Sequence, residues 1–209
     1  MKKIFIFLFL LSCLLSATAI AQNKEGKVVL GGHTINPDES IFYNLSKSGD
    51  HTVLTAGIRA AGLEKLLSGK GDFTLIAPLS DPIIHEIPAG RAEQLFNELL
   101  PEQQPEMYEI IAYHILIGRY TIKALTDAIQ VGGGKTLLAT LGGRVLTATQ
   151  NKAGAIVLTD DYGRKATLIQ TDITQSNGII HVASEALLPQ GSLKPRDYSK
   201  DYKSHQPKK

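Results

Sequence analysis

The sequence predicts an α+β fold in a single domain, because its first half has helical periodicity and its second half has a period of two. After Asp50 the apolar residues recur at helical spacing, whereas from Lys135 they alternate with polar residues between tight turns. Helices followed by a meander of strands are typical of an α+β domain. The chain is also long enough to bury a sizeable apolar core.

The first residues, 1–21, have the pattern of a signal peptide. Lys2 and Lys3 precede an apolar run from Ile4 to Leu15, and Ala19-Ile20-Ala21 gives the small-x-small cleavage pattern. The apolar run is short for a membrane span, which needs about 20 residues. The mature chain is therefore predicted to begin at Gln22 and to be secreted or periplasmic, without a membrane span.

Cys13 leaves a second interpretation of this segment open. The pattern Leu10-Leu11-Ser12-Cys13 resembles a bacterial lipoprotein site, which would make Cys13 an acylated N-terminus. The apolar run continues past Cys13 to a good cleavage site, which favours removal of the whole segment. Since Cys13 is the only cysteine, a mature chain starting at Gln22 has no thiol for catalysis, metal binding or a disulfide.

The charge of the chain is unevenly distributed. The whole chain has a formal net charge of +2, so loss of Lys2 and Lys3 brings it to 0. Residues 190–209 carry six Lys or Arg against two Asp, which makes this segment +4 and leaves residues 22–189 at −4. We therefore predict a basic disordered tail at 190–209. A mildly acidic domain argues against a nucleic-acid partner.

The predicted elements follow from periodicity and turn residues. Residues 22–40 are interpreted as an N-terminal arm or linker, in which Val28–Leu30 can form a short docked strand. A helix opens at Asp50 or His51 and continues to a stop at Ser68–Gly71. The later elements are a buried strand at 73–77, helices at 91–100, at 105–112 and after a Thr121 cap, and strands at 136–141, 144–150, 155–159, 165–173 and 179–182.

The sequence contains no constellation of residues for catalysis, a cofactor or a metal. Gly134-Lys135-Thr136 resembles the end of a phosphate-binding loop, but Ile129 occupies the position of the required first glycine. No Gly-x-Ser-x-Gly elbow is present, and no two histidines have i, i+4 spacing. The sequence therefore predicts a protein that is not an enzyme and holds neither metal nor cofactor.

Two histidines lie in apolar stretches, where a polar side chain is expected to have a hydrogen-bond partner or a ligand. Tyr113-His114 falls between a predicted helix and Ile115-Leu116-Ile117, and His181 lies within the last strand. A buried polar group is either bonded internally or present for a partner. We interpret His114 mainly as a buried hydrogen-bonding strut rather than a ligand contact, and His181 as a core histidine that donates to one group and accepts from another.

Several motifs together resemble the fasciclin-like (beta-Ig-H3/fasciclin) domain family, in its bacterial secreted single-domain form. The resemblance rests on Phe73-Thr74-Leu75-Ile76-Ala77-Pro78, on Tyr113-His114, and on Ser176–Val182 with Leu187-Leu188-Pro189. The stretch from Asn44 to Leu67 is similar to the first helices of the bacterial members. The match covers residues 41–189. Departures include Ile76 within the strand at 73–77, Leu79 and Pro82-Ile83 after it, and Ala183-Ser184 where the family has an acidic residue.

The resemblance implies a compact β-wedge or sandwich with an N-terminal helical layer. It also implies a recognition site at the Tyr-His pair and its branched aliphatic neighbours, which here are Tyr113, His114, Ile110, Ile111, Ile115 and Leu116. The motif residues with an implied structural role are Thr74, Pro78, Asn177, Gly178 and His181.

The functional expectation combines the predicted export with the resemblance. We expect a secreted, non-enzymatic adhesion or interaction module that acts as a monomer. Its partner is expected to be a cell-surface or matrix protein, or a polysaccharide. The alternative is a periplasmic or extracellular protein that binds a small ligand, in which case an enclosed apolar pocket is expected.

Overall fold

The computed structural model of the chain describes residues 27–79 and 104–190. The predicted signal peptide, the Cys13 site, the helix at 91–100 and the tail beyond Gln190 lie outside these residues. None of the helices within the described ranges is long and apolar enough to cross a membrane.

A seven-stranded sheet forms the centre of the domain, in the order β4-β3-β9-β8-β7-β6-β5. All neighbouring strands run antiparallel except β3 and β9, which are parallel. Their bounds are β3 Phe73–Pro78, β4 Ile115–Ile117, β5 Lys135–Ala139, β6 Val145–Gln150, β7 Ile156–Thr159, β8 Lys165–Gln175 and β9 Gly178–Ala183. The predicted meander of β5 to β9 is thus confirmed.

The two edge strands of this sheet, β4 and β5, meet at one point. Leu116 and Thr140 form an isolated antiparallel bridge, and the Leu141 N–H donates to the carbonyl of Ile115 at 2.7 Å. The sheet is therefore nearly closed, which mostly removes the open edges that an antiparallel sheet otherwise exposes. The sequence did not predict this closure.

Within residues 27–79 and 104–190, five α-helices pack on the two sides of the sheet. Their bounds are α1 Ile41–Lys47, α2 Thr52–Ala60, α3 Glu64–Ser68, α4 Gln104–Tyr113 and α5 Ile122–Val131. The first four share one apolar cluster with β3, β4 and β9, and α5 shares a second cluster with β5 to β8. The fold is α+β with an N-terminal helical layer, as predicted. The Thr121 side chain caps α5 by accepting from the Ala124 N–H at 3.1 Å, also as predicted.

The predicted helix from Asp50 to the stop at Ser68–Gly71 is in fact two helices. The chain breaks after α2 because Gly62 adopts a left-handed φ of +70°, and the Leu63 N–H donates to the carbonyl of Ile58 at 3.0 Å. Glycine in this position is the usual end of a helix. Asp50 does not cap α2 either, since a short 3-10 turn at Gly49–His51 precedes the helix.

The part of the predicted arm that the structure describes is docked on the domain. Strands β1 (Val29–Leu30) and β2 (His33–Thr34) form a hairpin, so the short strand predicted at Val28–Leu30 is present. Leu30 is buried, and the Gln170 side chain donates to the carbonyl of Val29 at 2.8 Å.

Candidate functional site

The Tyr113-His114 pair lies at the junction of α4 and β4, and both side chains are buried. His114 Nδ1 lies 2.9 Å from the carbonyl of Ile110, and the Leu187 N–H donates to Nε2 at 3.1 Å. These contacts assign the proton to Nδ1, because a carbonyl can only accept. His114 thus ties the end of α4 to the last turn of the domain, which is the strut that the sequence predicts.

The Tyr113 hydroxyl donates to the carbonyl of Val145 on β6 at 3.1 Å. Burial raises the pKa of Tyr113 to about 12, and the negative charge of Asp161 acts in the same direction. The phenol is therefore neutral at physiological pH and serves as a hydrogen-bond donor. It links the helical junction to the opposite side of the nearly closed sheet.

The aliphatic neighbours of the pair belong mainly to the core. Ile111, Ile115 and Leu116 are buried, and Ile110 is half-buried. In this conformation a partner can reach Ile110, but not the other three side chains. Their direct role in recognition stays a prediction, and their observed contribution is to packing.

One branched aliphatic beside the pair is exposed and was missed by the sequence reasoning. Ile117, the last residue of β4, has 62% of its surface exposed. The alternation of side chains along β4 was the available signal, because Leu116 points inward and its successor must point outward.

His181 on β9 forms the second buried bridge. Its Nε2 lies 2.7 Å from the carbonyl of Tyr120, and Nδ1 accepts from the Asp172 N–H at 3.2 Å. Burial lowers its pKa, although the Tyr120 carbonyl and the charge of Asp172 oppose this effect. The geometry agrees with the predicted core histidine, whose proton here lies on Nε2.

A third buried histidine, His51, lies before α2. The Ser48 hydroxyl is 2.7 Å from its Nδ1. Burial lowers the pKa of His51, and Asp50 and the carbonyl of Ala77 partly oppose this. Within residues 27–79 and 104–190, no three His, Cys, Asp or Glu side chains come together as a metal site.

Thr74 and Pro78 hold the two ends of β3. The Thr74 hydroxyl donates to the carbonyl of Gly118 at 2.7 Å and accepts from the Tyr120 N–H at 2.9 Å, which fixes the turn after β4. Pro78 pairs with Ala183 as the last residue of the parallel ladder, and the next N–H, of Leu79, donates to the Ala183 carbonyl at 2.9 Å.

Asn177 and Gly178 connect the β8–β9 turn to the helical layer. Asn177 accepts from the Ile41 N–H at 2.8 Å and donates to the carbonyls of Leu67 and Gly69, both at 2.8 Å. A Cβ on Gly178 would lie 2.1 Å from the carbonyl oxygen of Phe73, so no larger residue fits without movement of the backbone.

Arg119 secures the same turn from outside and was not predicted. Its guanidinium donates to Asp72 Oδ1 at 2.6 Å and to the carbonyls of Ser176 and Gly178 at 2.9 and 3.1 Å. Its place directly after an apolar strand and a glycine is a weak sequence signal. With Asn177, it makes the turn a fixed structural point rather than a free loop.

Strands β5 to β8 present an outward surface, which we call the outer face. The inward residues of these strands pack with α5, since Leu125 and Ile129 share a cluster with Leu138, Leu146 and Leu158. The side chains between the inward residues lie on the outer face, and no described helix covers them. Two rows of paired residues cross this face: Leu137, Thr147, Thr159 and Lys165 in one, and Lys135, Thr149, Val157 and Thr167 in the other.

The outer face continues onto β4 through Ile117. The bridge between Leu116 and Thr140 brings the following and preceding residues, Ile117 and Ala139, towards each other on the outward side. Ala139 in turn pairs with Val145. We call Ile117, Ala139 and Val145 the apolar row. Beside it lies Leu137, which is 66% exposed.

The comparisons with known proteins agree with this architecture. The model of the fasciclin domain matches residues 49–189. This chain belongs to the fasciclin domain family. A cyanobacterial relative, protein sll1483 of Synechocystis, is 37% identical over 83% of this chain and 86% of its own length. The fasciclin-like resemblance of the sequence motifs is thereby confirmed.

Animal relatives are longer proteins that contain the matched region. Human stabilin-1 is 28% identical over 83% of this chain but only 6% of its own length. Human periostin is 25% identical over 80% of this chain and 18% of its own length. The structure of a FAS1 domain pair from the insect cell adhesion molecule fasciclin I superposes with a TM-score of 0.59. It covers 74% of this chain and 52% of the other at 21% identity, which supports the fold alone.

Proposed function

We propose that this fasciclin domain is a secreted, non-enzymatic adhesion or interaction module. Its proposed partner is a protein or polysaccharide of a cell surface or extracellular matrix. The family and the N-terminal signal pattern support this proposal. His114 and His181 favour binding over catalysis, because both nitrogens of each ring already have partners within the fold.

The observation that carries the proposal is the exposed apolar row beside the buried Tyr-His pair. Ile117 and Leu137 are large aliphatic side chains with more than half of their surface exposed. Exposed apolar residues that are grouped rather than scattered are typical of interaction surfaces. Tyr113 and His114 would then act as positioning residues, since they hold β4 and β6 in register behind the row.

The test is binding of the exported, purified chain to a panel of cell surfaces, matrix proteins and polysaccharides. Ile117→Asp should reduce binding about tenfold or more, because the new carboxylate must be desolvated at the contact. Thermal unfolding of this variant should match wild type, since the side chain packs little. His114→Ala should lower the melting temperature and should keep binding at temperatures where it is folded.

Val131→Asp is the matched control. Val131 is 91% exposed at the end of α5, and the substitution likewise replaces an exposed aliphatic side chain with a carboxylate. It should bind like wild type. No binding by wild type across the panel, together with turnover of a substrate, would overturn the proposal. If Val131→Asp lost as much binding as Ile117→Asp, the apolar row would no longer be the proposed contact surface.

A further inference from the structure

The outer face combines hydroxyl and ammonium groups and lacks carboxylates. Thr147, Thr159 and Thr167 are half-buried on it, and Lys135 and Lys165 are exposed at opposite edges. The outward positions of β5, β6 and β7 and of β8 as far as Ile169 hold no Asp or Glu. The two ammonium groups are therefore the charged groups at these outward positions.

The hydroxyl groups form a row with a regular spacing. Thr147 and Thr159 are direct partners across β6 and β7, and Lys165 extends the same row onto β8. Neighbouring strands lie about 4.8 Å apart, which is close to the length of one sugar unit in an extended polysaccharide. A chain laid across the strands would therefore meet one side chain of the row with each sugar.

Three threonine hydroxyls of the outer face are available for a ligand: two belong to this row and the third, of Thr167, to the neighbouring row. Within the part of the chain that the structure describes, the Thr149 hydroxyl donates to the carbonyl of Val157, whereas no hydrogen bond is found for the side-chain oxygens of Thr147, Thr159 and Thr167. Each can donate one hydrogen bond and accept others. The two lysines, three strands apart, add positive charge at both ends of the surface, where it complements an anion.

We propose that the outer face binds an extended anionic polysaccharide that lies across β5 to β8. Its carboxylate or sulfate groups pair with Lys135 and Lys165, and its hydroxyls bond with Thr147 and Thr159. This inference rests on the proposed function and names the class of its partner. A single-stranded nucleic acid fits less well, because the face carries no aromatic side chain on which bases could stack.

The experiment measures binding of the purified chain to polygalacturonate, dextran sulfate and neutral dextran at low and high salt. We expect binding to at least one of the anionic polymers, weakening as salt rises, and much weaker binding to dextran. The double variant Lys135→Glu/Lys165→Glu should bind about tenfold or more weakly. Lys65→Glu/Lys70→Glu makes the same charge change on the helical layer and should bind like wild type.

A second pair of substitutions tests the hydroxyls without altering charge. Thr147→Val/Thr159→Val keeps the shape of both side chains and should weaken binding about threefold or more. Absence of wild-type binding to both anionic polymers overturns the inference, as does equal loss in the Lys65/Lys70 control. If wild type still binds another member of the adhesion panel through Ile117, the proposed function survives that result; if it binds nothing, both fail.

Discussion

The two faces of strands β5 to β8 have different chemistry although their residues alternate along the same chain. Inward, Leu146 and Leu158 are completely buried against α5. Outward, their neighbours Thr147 and Thr159 are half-buried and lie outside the apolar cluster that α5 forms with the inward residues. The inward residues are constrained by packing, whereas the outward ones satisfy only the demands of a strand. A binding function can therefore vary on the outer face without changing the fold.

The family motifs, like the inward residues of these strands, are constrained by contacts within the fold. Asn177, His114 and Thr74 each bond to backbone groups that would otherwise be buried without a partner. Such residues identify the fold because they satisfy backbone groups that this architecture buries. They say little about the partner, for which exposed residues such as Ile117 and Lys135 give better evidence.

The largest expected loss of stability is that of Gly178→Ala, within a family motif. The added Cβ would lie 2.1 Å from the Phe73 carbonyl oxygen and 2.7 Å from Ile41 Cδ1. Because β3 and β9 pair at this residue, the substitution should separate the parallel strands. We expect more than about 4 kcal/mol of lost stability, or no folded protein, measured by urea unfolding.

Gly142→Ala is the control for that prediction. A Cβ there would have Ala112 Cβ as its nearest neighbour, at 3.4 Å, which is ordinary contact. This variant should remain within about 1 kcal/mol of wild type. A folded Gly178→Ala protein with wild-type stability would show that the backbone at this turn can relax, and the β8–β9 turn would no longer count as a fixed point.

An intermediate effect is expected when the two faces are compared at adjacent positions. Leu158→Ala removes a fully buried side chain and should cost about 3 kcal/mol through lost burial and a cavity. Thr159→Ala, one residue along β7, should change stability by about 0.5 kcal/mol or less. Urea unfolding of both variants measures the difference. Similar losses from both would mean that something covers the outer face.

The sequence predicted most of the architecture because its signals are local. Gly142-Gly143 and Asn151–Gly154 mark hairpin turns, and the period of two between them defines strands. The strut role of His114 was also predictable, since a histidine within an apolar run needs internal partners. Its partner Leu187 is 73 residues away, so the motif gave the role but not the contact.

The remaining features depend on contacts between distant segments. The clamp of Arg119 on the carbonyl of Ser176 spans 57 residues, and no local pattern encodes it. The split at Gly62 was missed because glycine in a run of small residues fits either a close-packed helix or a helix end. The outer face emerges only when the register of four strands is known.

The smallest expected effect is a pH dependence of stability that arises from the buried histidines and leaves the outer face unaffected. Burial lowers the pKa of His51 and His181 in the folded protein, whereas in the unfolded chain both titrate near pH 6.5. Below about pH 6.5 the unfolded state thus binds more protons than the folded state, so the free energy of unfolding decreases as the pH is lowered. Above it both rings are neutral in either state, and their contribution is fully present.

The expected slope is at most about 1.4 kcal/mol per pH unit for each histidine. Urea unfolding between pH 5.0 and 7.5 should show it, and His181→Gln should reduce it, since glutamine can replace both hydrogen bonds without titrating. Neither His51 nor His181 lies on the outer face, so binding of the folded protein to an anionic polymer should change little over this range. An unchanged slope in His181→Gln would mean that His181 does not contribute to it, and the acid sensitivity would then arise from other groups.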